Sequence, residues 1–114
     1  MQAETVQILK INPINIKLSI KDLIIISLNI NSKLSMKDLY SSSLSKSLQY
    51  RKLLNYRLPK FEIYKKLIKK LYNNGLINFS VSKTNIIELY LSDKGMQEYN
   101  YLMQHINHLY YGDH

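Results

Sequence analysis

Four lysines stand in two adjacent pairs, Lys65-Lys66 and Lys69-Lys70, inside the run PKFEIYKKLIKKLYNNGL from Pro59 to Leu76. Phe61, Tyr64, Leu67, Ile68 and Leu71 recur at helical spacing, which puts them on one face of a helix and leaves the ammonium groups on the rest. Fixed cations on a rigid rod suit the phosphates of a polyanion. The plain alternative is a solvated helix surface with no ligand.

Other chemistry finds less footing. His105 and His108 stand three residues apart, but no Asp, Glu or Cys joins them at ligand spacing. His114 is the one further candidate, and a metal site needs three or four ligands. No metal and no cofactor is therefore expected. Cysteine is absent, which excludes disulfides and thiolate sites and fits a reducing compartment. No glycine-rich phosphate loop and no His-Glu-x-x-His run occurs, and none of the twelve serines is singled out as a nucleophile. The chain reads as a non-enzyme. Its ten tyrosines invite stacking on single strands, but Tyr64, Tyr72 and Tyr99 fall at apolar helical positions and read as core or interface.

The 114 residues make one domain, or one domain with an arm, and 46% hydrophobic content is enough for a core. No 18-residue apolar run and no secretory leader is visible, so the expected location is cytoplasmic (host cytoplasm for a viral protein). The net charge of +8 is uneven. Residues 33–70 hold eleven Lys and Arg against Asp38 and Glu62, whereas residues 71–114 hold two lysines against four acids. A localised surplus points to a docking face. Heavy use of Ile, Lys, Asn and Tyr points to an AT-rich genome.

Ile14, Ile16, Leu18 and Ile20 alternate with polar residues as a strand does, and Pro13 means that such a strand lies at an edge or starts there. Residues 1–18 read as an extended arm or one short strand. Ser19 and Asp22 start a helix over 20–30, with a buried strand through Leu23–Ile26 as the alternative. Ser35 and Asp38 start a short helix over 36–42. The serines from 41 to 47 are weak helix formers, and a further helix over 44–56 follows them. Pro59 suits the first turn of the lysine helix, and Gly75 closes it. The period then changes to two. Ile77, Phe79 and Val81 share a face, then Ile87, Leu89 and Leu91, with Lys83-Thr84-Asn85 as the turn of a hairpin. Ser92 caps a last helix, where Met96, Tyr99, Met103, Ile106 and Tyr110 follow the spacing of a helix–helix seam.

Two helices, a basic helix, a hairpin and a closing helix together resemble the winged-helix DNA-binding regulators, above all the MarR-like and PadR-like groups. The motifs are Leu71-Tyr72-Asn73-Asn74-Gly75-Leu76-Ile77, Leu91-Ser92-Asp93-Lys94-Gly95 and Leu34-Ser35-x-x-Asp38-Leu39. The similarity covers residues 20–110. Two departures stand out. The stretch between Leu39 and Pro59 is longer, by roughly a helix, than the turn of a helix-turn-helix, and Lys83 is the lone cation at the wing. Short length and AT-rich usage also resemble small proteins of archaeal viruses.

The resemblance implies that the 59–74 helix enters the major groove. Lys65, Lys66, Lys69 and Lys70 would mostly meet phosphates. Adjacent residues stand about 100° apart on a helix, so Lys65 with Lys69, or Lys66 with Lys70, is the working pair. Arg51, Lys52, Arg57 and Lys60 extend the strip. Asn73 reaches a base or ends the helix, and Lys83 and Asn85 are the wing-tip contacts. Few arginines means little bidentate guanine reading.

The expectation is an α+β, mostly helical, winged helix-turn-helix over 19–114, with an N-terminal arm over 1–18 and a C-terminal helix. It binds double-stranded DNA as a transcriptional regulator and homodimer through the Met96, Tyr99, Met103, Ile106 and Tyr110 seam, with no membrane partner. The rivals are a protein–protein interaction module on the same scaffold and an RNA or single-strand binder.

Overall fold

Helices begin where a side chain replaces the missing backbone partner. At Ser19 the Asp22 N–H donates to Ser19 Oγ over 3.1 Å, and the Ser19 N–H donates to Asp22 Oδ2 over 3.0 Å. That reciprocal box starts α1, Ile20–Leu28. The computed structural model describes residues 17–54 and 57–110, the side chains of 107–110 excepted. The expected arm therefore lies outside the described residues apart from Lys17 and Leu18. Leu18 is buried, donates its N–H to Leu53 O over 2.6 Å and forms a parallel bridge with Leu54.

Leu23 through Leu28 are all buried, so the β-branched run is a helix enclosed by the rest of the domain, as a helix apolar all round must be. It stops two residues short of the expected end because Asn29 turns to a φ of 65°.

The serine run does not break the chain. A single α2, Met36–Gln49, replaces the two helices expected over 36–42 and 44–56, and a 3₁₀ turn over Arg51–Leu53 follows. Two of the hydroxyls that would weaken an isolated helix by competing for its backbone here have tertiary partners. Ser43 Oγ donates to Ser27 Oγ over 3.2 Å and meets Tyr64 Oη at 2.7 Å, and Ser42 Oγ donates to the Ser27 carbonyl over 3.4 Å. Packing across α1 thus decides what propensity left open.

α3, Phe61–Asn73, starts behind Lys60, so Pro59 stands one residue before the cap and not in the first turn. The Pro59 carbonyl accepts from Tyr40 Oη over 2.8 Å, and the Tyr40 ring packs edge-on against Phe61 and Tyr64 at 5.1 and 4.7 Å. That aromatic seat on α2 sets where α3 begins. At the other end Leu76 N–H returns to Leu71 O and Gly75 N–H to Tyr72 O, both over 3.0 Å, with Gly75 at φ 79°. This is the Schellman closure, which needs the left-handed residue.

β2, Ile77–Val81, and β3, Ile87–Leu91, form the hairpin, paired from Ile77↔Leu91 to Val81↔Ile87. Ser82 N–H meets Ile86 O over 2.8 Å and Asn85 N–H meets Ser82 O over 3.0 Å, with Asn85 at φ 63°, as a three-residue hairpin loop requires. β1, Leu34–Ser35, joins the other edge of β3, giving the order β1-β3-β2. A strand of two residues shows no period, so the sequence did not reveal it.

α4, Asp93–Tyr110, begins at Ser92, whose Oγ accepts from Gly95 N–H and donates to the Gly75 carbonyl. The two glycine motifs are thereby tied together. A Cβ at Gly95 would lie 2.1 Å from Leu76 O, so only glycine fits there. α4 lies across α1, with Leu102 and Ile106 in the core. The whole is α+β and mostly helical, in the order of a winged helix-turn-helix.

Candidate nucleic-acid interface

α3 sits on the core through Tyr64, Ile68 and Leu71. At about 100° per residue, Lys66 and Asn73 then point almost straight outward, with Lys69 on one flank and Lys70 on the other. All four are exposed. Among the described residues no carboxylate lies within ion-pair reach of Lys66, Lys69 or Lys70. Lys65 differs: it is half-buried, its Nζ lies 3.0 Å from Glu62 Oε2 and 5.1 Å from the centre of the Phe61 ring. Lys65 is thus partly neutralised on its own helix, and the free cations on the outward face are Lys66, Lys69 and Lys70.

The other expected contacts divide. Lys60, Lys83 and Asn85 are exposed. Lys83 and Asn85 both lie in the hairpin loop, and Asn85 also supplies its left-handed backbone. Arg51 and Arg57 line a groove of about 440 Å³ with Leu44, Leu48, Leu54 and Leu58, beside the α2–α3 connection, and Lys52 is exposed on the adjoining 3₁₀ turn. Lys70 lines a hollow with Lys21 of α1. Lys21 itself meets Glu98 at 3.8 Å. Sequence reasoning passed over Lys21 because its neighbour is far away in the chain.

The tyrosines also part company. Tyr64 is fully buried and bonded to Ser43. Burial pushes its phenol well above the usual tyrosine range, the Ser43 hydrogen bond opposes that less strongly, and nearby Tyr40 adds to the rise. Tyr72, read as core or interface, is instead exposed and leans on Phe79 of β2, with ring centroids 5.3 Å apart. Phe79, which shares a strand face with the buried Ile77, is exposed too. The missed signal is length, because the hairpin's apolar face is longer than the body beneath it.

On α4, Met96, Tyr99 and Met103 are half-buried against the chain's own core and Ile106 is 1% exposed. The Tyr110 side chain lies outside the described residues. His105 Nδ1 lies 2.9 Å from Tyr101 O, and the two rings are 4.2 Å apart. Among the described residues no helix is long and apolar enough to cross a membrane.

No protein-family model and no curated protein sequence matches the chain. Among solved structures, the crystal structure of the heme sensor protein PefR in complex with heme and carbon monoxide is similar, with 19% identity and a TM-score of 0.48. The match covers 80% of this chain and 54% of the PefR chain.

Proposed function

We propose that this chain is a non-enzymatic regulator that binds double-stranded DNA as a homodimer, laying α3 in the major groove with the β2–β3 wing beside it. The observation that carries the reading is the outward face of α3. Lys66, Lys69 and Lys70 are exposed with no carboxylate partner among the described residues, and Asn73 completes the row. Unneutralised ammonium groups on one rigid face release counterions when they meet phosphates. Asn73 carries an amide that matches the donor and acceptor of an adenine edge. A two-fold pair of such helices would meet successive grooves.

The test is a gel shift with duplex DNA across a salt series. Affinity is expected to fall steeply as salt rises, and Lys66→Glu with Lys69→Glu is expected to abolish retention while the far-ultraviolet circular dichroism stays unchanged. Retention by the folded double variant would overturn the assignment.

A further inference from the structure

The wing carries more apolar surface than the domain covers. Ile77, Leu89 and Leu91 are buried, yet on the same face Phe79, Val81 and Ile87 are 46%, 58% and 55% exposed. Tyr72 of α3, 44% exposed, tilts at 54° against Phe79. Between α3 and the wing lies a cleft of about 190 Å³, floored by Met36, Ile68 and Leu89 and walled by Tyr72, Phe79 and Ile87. Lys65 and Lys69 also line it. The cleft is thus oily within and cationic along α3, and Lys69 belongs both to it and to the outward face of that helix.

Paired DNA suits such a cleft poorly. A duplex offers phosphates, sugars and base edges, while its ring faces stay stacked inside. Half-exposed aromatic rings gain little from phosphates, but they stack on the face of any unpaired base, and flanking cations then hold the phosphates of the same strand. We propose that this cleft takes an unpaired base of a DNA strand, stacked against Tyr72 and Phe79, while Lys69 holds the adjoining phosphate. The inference rests on the DNA-binding reading of α3 and deepens it: the preferred target is a duplex interrupted by unpaired bases. An apolar partner protein is the competing occupant. Lys69, with no carboxylate partner among the described residues, favours a polyanion, because desolvating it against an uncharged protein surface gains no charge partner.

The experiment compares a duplex with the same duplex carrying a short unpaired bubble, by fluorescence anisotropy at one moderate salt concentration. The bubble DNA is expected to bind about tenfold tighter or more, and 2-aminopurine placed in the bubble is expected to change its emission on binding. Phe79→Leu with Tyr72→Leu keeps apolar area and removes both rings. That variant is expected to lose the preference, with duplex affinity held within about twofold and mass in solution unchanged. Equal affinity of the natural protein for both DNAs, or a preference that survives loss of the rings, overturns the inference while leaving the duplex reading intact. A ring-less variant that changes its oligomeric mass also overturns it, by making the cleft a seat for protein. Failure to bind either DNA overturns the duplex reading as well.

Discussion

Ser43 joins three helices through one hydroxyl. It is fully buried, and it touches Ser27 of α1 and Tyr64 of α3 from its place on α2. Ser43→Ala leaves the Tyr64 hydroxyl without its partner in the interior, so a loss of about 1–3 kcal/mol is expected in urea unfolding. Tyr64 also gives stability a pH dependence. Its phenol is raised by burial, so the unfolded chain loses that proton near pH 10 while the folded chain still holds it. The folded state then binds more protons, and stability falls as pH rises past about 10. Tyr64→Phe lacks this loss, so the stability difference between natural protein and variant is expected to narrow between about pH 9 and pH 11. Gly75 and Gly95 separate by cause. Gly75→Ala meets open space at φ 79° and is expected to cost about 1–2 kcal/mol from handedness alone. Gly95→Ala meets Leu76 O and must displace backbone, so its melting temperature is expected to fall further.

α2 is the element where the residue-level signals misled and packing corrected them. The box at Ser19, the cap at Ser35, the closure at Gly75 and the change of period at Ile77 were all legible, because each depends on neighbours within a few residues. The continuity of α2 through five serines was not, because its hydroxyl partners lie on α1 and α3. Ser45→Pro tests this. In the interior of an unbroken helix it is expected to cost about 3 kcal/mol or more, read by thermal unfolding, whereas a break in the serine run would tolerate it. The same division holds on α3. The period placed the lysines opposite Tyr64, Ile68 and Leu71, but Glu62 decides that Lys65 is half-neutralised while Lys66 and Lys69 stay free. Replacing Lys66 or Lys69 by Ala is therefore expected to lower the salt dependence of duplex affinity by about one counterion each, and Lys65→Ala by less.

At the scale of the molecule, α1 is the hub against which α2, α4 and the sheet pack. The spacing on α4 reads as a seam, but spacing carries no information about whose surface covers it. Ile106 lies in the core of its own chain. Ile106→Ala is accordingly expected to cost about 2–5 kcal/mol, with its melting temperature depending on protein concentration no differently from that of the natural protein. A change in that dependence would place Ile106 between subunits. The proposed dimer then has to use the outer side of α4, where Tyr101 is exposed, and sedimentation of Tyr101→Asp is expected to show monomers.

What the amino-acid order determined by itself is local: caps, closures, periods, and the lysine face of one helix, each set by side chains within a turn or two of one another. The tertiary structure alone decided which apolar faces are covered and which remain open. It bared Tyr72, seated α4 on α1, and left the distal half of the wing uncovered beside the lysines. Burial is a property of distant surfaces meeting, and no spacing along the chain encodes the meeting.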